Sequence, residues 1–172
     1  MAKKNKKTKK KEYSSAIVFD DNFQRIVQFY LFESPIDGVS HRGKIFKDYG
    51  WSGSSRFKML ERLLKSASGM DDAQWNILES SSEVKRRSDG VTYDHQFIYS
   101  DRSKGKVPTF IYSIRNAFAH GSFDLLEIDG CRHYLIENEY GNNLRSKMML
   151  SEHTLIEWIK IIKTKPEYFK KH

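Results

Sequence analysis

The chain has 172 residues, a length that suits one compact domain with short tails. It is 38% hydrophobic and 30% charged, and no run approaches the ~18 consecutive apolar residues of a membrane span. A single cysteine, Cys131, excludes an internal disulfide framework and fits a reducing, cytoplasmic compartment. The net charge of +8, from 30 Lys and Arg against 22 Asp and Glu, is a field that attracts nucleic acid or anionic lipid.

Much of that excess is local, because Lys3, Lys4, Lys6, Lys7, Lys9, Lys10 and Lys11 cluster at the start. Residues 1–15 read as a disordered Lys-rich tail with no apolar core of a secretory signal. Residues 16–165 read as the single domain, and residues 166–172 as a basic C-terminal tail. Asp20 or Asp21 caps a first helix in which Phe23, Ile26, Val27, Tyr30 and Leu31 recur at helical spacing, ending before Pro35. The stretch 34–53, with Pro35, Gly38, Gly43, Gly50 and Gly53, has no clean period and reads as a long connection holding His41, Arg42 and Lys44.

Ser54 or Ser55 opens a second helix with Phe57, Leu60, Leu63 and Leu64 on one side, stopped by Gly69. Asp71 caps a third, with Trp75, Leu78 and Val84 inward, running to about Lys85 to Arg87. Lys85, Arg86 and Arg87 complement the negative end of that helix and are also candidate phosphate contacts. Residues 88–106 read as a polar loop with a short extended piece through Phe97, Ile98 and Tyr99. Within it Tyr93, His95 and Arg102 are candidates for stacking on RNA bases or holding phosphate.

The next segment, Pro108 to Gly121, combines a strong apolar stripe with a tight group of reactive residues. Pro108 suits the first turn of a helix and Gly121 the left-handed position just past its end. Phe110, Ile111, Ile114, Ala117 and Phe118 recur at three- and four-residue steps, leaving Ser113, Asn116 and His120 on a polar edge. Arg115 and His120 point about 140° apart at ~100° per residue, so only the length of the guanidinium lets it reach an anion near the imidazole. An imidazole that changes charge near neutrality beside a permanent cation suits acid–base chemistry on a phosphate ester. The same residues also permit a plain structural reading, in which His120 and Gly121 finish a helix and Arg115 pairs with Asp124 or Glu127.

Beyond Gly121 the period becomes that of strands. Residues 123–128 and 131–138 flank Asp129-Gly130, a favoured hairpin turn. Gly141-Asn142-Asn143 is a second turn signal before a third strand, 144–150. Ser151 caps a last helix in which Leu155, Trp158 or Ile159, and Ile162 line one face before Pro166. There is no zinc-ligand spacing, P-loop, nucleophile elbow or paired-His helix, so neither a metal nor a cofactor is expected.

Arg115-Asn116-Ala117-Phe118-Ala119-His120-Gly121 resembles the signature of the HEPN superfamily, an Arg followed by four to six residues and a His. It also resembles the RNxxAHG form found in prokaryotic members. The resemblance implies a mainly α fold: a HEPN-like helical bundle with a small antiparallel hairpin or three-strand insertion between the motif helix and the C-terminal helix. It implies a metal-independent endoribonuclease that cleaves RNA by 2′-OH attack, in a toxin or antiviral defence setting. His120 would be acid or base, Arg115 the cation on the phosphate, and Asn116 the residue that positions them. It also implies a homodimer that brings two motifs to one cleft, restrained by an antitoxin or another regulatory protein. A non-catalytic RNA-binding or assembly module on the same fold is the alternative. Where some related toxins carry a modifiable Tyr two residues beyond the His, this chain has Ser122.

Overall fold

The computed structural model describes residues 20–38, 44–101 and 105–170. The Lys-rich tail, His41, Arg42, Arg102 and the last two residues lie outside them. Helix α1 (Asp21–Val27) starts where the Asp20 carboxylate accepts from the Phe23 N–H at 2.8 Å, and its chain widens into a π-helical stretch, Gln28–Glu33. A 3₁₀ turn, Phe46–Tyr49, leads to α2 (Ser54–Ser68), which ends on Gly69.

The third expected helix is not formed as read. Residues 75–77 make a strand, β1 (Trp75–Ile77), and only then does Ser80 cap α3 (Ser81–Asp89). The chain continues through β2 (Phe97–Ser100), α4 (Lys106–His120), β3 (Phe123–Ile128), β4 (Cys131–Tyr140), β5 (Asn143–Ser151) and α5 (Glu152–Lys163). The Asp129-Gly130 hairpin has positive φ at both residues, the geometry of a type I′ turn. Ser151 caps α5 by accepting from the Thr154 N–H.

These strands form one five-stranded mixed sheet in the order β1-β2-β5-β4-β3. β1 runs parallel to β2, and every other neighbouring pair is antiparallel. The mainly α expectation is therefore corrected to an α/β fold. The three strands after the motif helix are not an insertion on a bundle, because β5 pairs with β2 and thereby joins them to β1. The physical reason lies in the β1-α3-β2 unit: parallel strands require a crossover, and α3 is that crossover.

Alternation across the sheet feeds two cores. Ile98, Tyr134, Ile136, Met148 and Leu150 face α1, α2, α4 and α5. Phe97, Tyr99, Leu126, Leu135 and Met149 face the opposite side, where Leu78 and Val84 come from β1's end and α3. With both faces covered, β2 is buried along its whole length and shows no polar alternation. Trp75 packs edge-on to Phe110 and Trp158, with ring centroids 4.9 and 5.4 Å away, which locks β1 to α4 and α5. The Trp158 indole donates to the Leu64 carbonyl at 2.8 Å and Trp51 to that of Ile162 at 2.9 Å, tying α5 to α2 and to the 3₁₀ turn.

Candidate functional site

Helix α4 is placed by its own sequence. Val107, Phe110, Ile111, Ile114, Ala117 and Phe118 are buried, so Arg115 and Asn116 fall at the core's margin and His120 in solvent. Gly121 adopts φ +67°. The Ser122 N–H returns to the Ala117 carbonyl at 2.9 Å, a Schellman closure that ends the helix and aims the chain into β3. Six residues of β3 pair with β4, and beyond Ile136 the ladder gives way, among the described residues, to a backbone hydrogen bond from the Glu137 N–H to the Ser122 carbonyl at 3.1 Å. The last part of β4 thus keeps β5 on one edge and leaves its other edge unpaired beside α4.

A groove of about 880 Å³ occupies that junction. Ser113, Arg115, Asn116 and His120 of α4 form one wall, and residues of β4 and β5, among them Asn138, Arg145 and Ser146, form the other. Asn138 joins the walls, its Nδ2 donating to the Ser113 carbonyl at 2.9 Å and to Ser146 Oγ at 3.0 Å.

The three motif residues share this groove, although 140° separates two of them on the helix, because the groove wraps around the helix end. Arg115 Nη1 donates to Asn116 Oδ1 over a long 3.4 Å, and its Nε is buried without a hydrogen-bond partner. Among the described residues no carboxylate forms an ion pair with Arg115. Asp124 lines the groove unpaired with it, and Glu127 lies opposite Arg132 in the β3–β4 ladder. His120 is exposed, and no hydrogen bond among the described residues holds its ring.

The groove is not uniformly basic. Asp124, Glu137 and Glu139 also line it, and Glu137 is paired with Lys147 at 2.5 Å.

The other candidates are not gathered here. Lys85, Arg86 and Arg87 ride on α3, across the sheet from α4, and Arg86 and Arg87 lie 3.5 and 3.8 Å from Glu83. Arg87 also covers the Tyr99 ring. Tyr93 packs beneath the Lys147 ammonium on the α3 side. His95 pairs with Asp94 at 2.6 Å and lines a separate pocket of about 270 Å³ with Gln96 and His133. The sequence reading missed Asn138 and Arg145. Neither has a local signal, since both enter the groove through strand pairing.

No protein-family model, curated protein or solved structure matches this chain. Among the described residues no helix is long and apolar enough to cross a membrane.

Proposed function

We propose that the chain is a metal-independent endoribonuclease of HEPN type acting in the groove at the end of α4. The observation that carries this reading is Arg115: a guanidinium in the groove wall with no carboxylate partner and a buried Nε–H left unsatisfied, sharing the groove with the free imidazole of His120. With no carboxylate among the described residues paired to it, the guanidinium keeps its charge for an anion in the groove.

RNA carries its own nucleophile. His120 takes the 2′-OH proton or supplies one to the leaving 5′ oxygen, while Arg115 holds the non-bridging oxygens as charge builds on the phosphorus. The product strand ends in a 2′,3′-cyclic phosphate. Asn116, in contact with Arg115, orients the guanidinium. One imidazole cannot serve as acid and base at once, so the reading includes a homodimer in which a second copy brings its own His120. A cytoplasmic toxin or antiviral defence enzyme restrained by a partner protein is the setting that goes with this chemistry.

A second reading, a non-catalytic RNA-binding or assembly module, draws on Asp124 and Glu139, whose charges oppose a phosphate chain and suit a basic partner surface.

The test is incubation of end-labelled RNA with the purified chain in EDTA. Cleavage that survives chelation, yields cyclic phosphate ends and disappears in both Arg115→Ala and His120→Ala supports the enzyme. Absence of cleavage in the wild-type chain, or cleavage that persists in both variants, overturns it.

A further inference from the structure

Arg145 reaches the groove through an irregularity in the sheet. Asn138 pairs with Ser146 and Glu139 with Leu144, so the β4–β5 register skips Arg145, which is the extra residue of a bulge. A bulge re-aims one side chain, and such features concentrate beside functional sites. Here it leaves Leu144 packed in the same core as Met149 while Arg145 lines the groove with Ser146.

Two fixed points hold that residue. Its carbonyl accepts from the Asp101 N–H at 3.0 Å and from Ser100 Oγ at 3.4 Å, which pins the bulge to the end of β2. Its Nε lies 3.1 Å from Asp101 Oδ2. The contact is an ion pair, and both Arg145 Nε and Asp101 Oδ1 are buried without a hydrogen bond. The Asp101 side chain is only 4% exposed, whereas that of Arg145 is 37% exposed. The carboxylate is sealed in the wall, and the guanidinium is presented to the groove.

We propose that Arg145 is a second phosphate-binding cation of this groove, on the wall opposite Arg115, so that the site takes a polynucleotide with at least two consecutive phosphates. The proposal rests on the ribonucleic acid reading of the groove, but not on cleavage. A planar guanidinium suits a phosphate through two parallel N–H donors, and its brace reduces the freedom lost on binding. The acidic groove residues sharpen the requirement, since Asp124 and Glu139 carry no ion pair among the described residues and oppose a phosphate chain, which two opposed cations hold at two points.

The experiment compares two non-cleavable 2′-O-methyl oligonucleotides, one with a single internucleotide phosphate and one with two. Binding is titrated over a range of salt for the wild-type chain, Arg145→Gln, Arg145→Lys and Arg86→Gln, and cleavage of matching RNA is measured in parallel. The wild-type chain is expected to bind the longer oligonucleotide at least fivefold more tightly, an advantage lost in Arg145→Gln. That variant's slope of log affinity against log salt falls by about 0.7, the value for one phosphate contact on a single strand. Arg145→Lys keeps the slope and loses part of the affinity, and Arg86→Gln, an equal charge loss on the far face, changes neither. Equal affinity for the two oligonucleotides in the wild-type chain, or an unchanged slope in a folded Arg145→Gln, overturns the proposal. Arg145-dependent binding without cleavage keeps this subsite and removes the nuclease reading. Cleavage with Arg145-independent binding does the reverse.

Discussion

Asn138 donates to the carbonyl of Ser113 at 2.9 Å, and this amide ties the last part of β4 to the middle of α4. The same nitrogen donates to Ser146 on β5 at 3.0 Å, so a single side chain sets the width of the groove. Asn138→Ala removes both bonds at a half-buried position. It is expected to lower stability by about 1–2 kcal/mol, read as a shift in the urea midpoint at constant slope. It should also weaken RNA cleavage, because Arg115 and Arg145 lose their fixed spacing.

Substitutions in the motif should separate activity from stability. His120 is exposed and unpartnered, so His120→Ala is expected to stay within about 0.5 kcal/mol of the parent by urea titration. Cleavage should nevertheless fall by about 10²–10⁴, the usual contribution of a positioned acid or base. A loss of stability that accounts for the lost cleavage would show that His120 is a structural cap.

Gly121 occupies φ +67°, where a Cβ would meet nothing within 4 Å. The penalty of substitution is therefore backbone strain alone. Gly121→Ala is expected to cost about 1–2 kcal/mol, and Gly121→Asn less, because Asn tolerates the left-handed region. Thermal melts of the two variants rank them. Reversal of that order would mean that crowding, not φ, selects glycine here.

Acid and alkali should destabilise the fold through different residues. The hydrogen-bonded Arg132 guanidinium, 2.7 Å away, and the Phe23 N–H hold the Asp20 carboxyl below its ordinary value of 3.8. A depressed carboxylate contributes stability above that value, and the contribution is lost as pH falls through the lower folded value. Burial drives the Tyr30 hydroxyl far above its ordinary 10.0, and burial and the Glu152 charge raise that of Tyr134. Here the sign reverses: stability is complete below 10.0 and declines as pH rises beyond it, since the unfolded chain releases those protons first. Urea midpoints measured across pH should fall on both sides. Arg132→Gln is expected to destabilise more near neutrality than in acid below the lowered Asp20 value, where the carboxyl is neutral.

The amino-acid sequence by itself determined the elements whose signals are local. Pro108, the apolar steps of α4 and Gly121 mark the motif helix, Asp129-Gly130 the hairpin, and Asp20 and Ser151 two helix caps. Each acts through bonds spanning a few residues, so each is legible in a short window. Only the tertiary structure decided that Trp75–Ile77 is a strand, because three residues carry no period and their partner, Ile98 and its neighbours, lies some twenty positions away. The same pairing carried α3 over the far side of the sheet, parting Lys85, Arg86 and Arg87 from the groove. The β4–β5 pairing holds the bulge that places Arg145 in the groove wall. Hydrogen-bond register between distant strands has no counterpart in local spacing. The helix that carries the motif could thus be read from the chain, but the opposite wall of its groove could not.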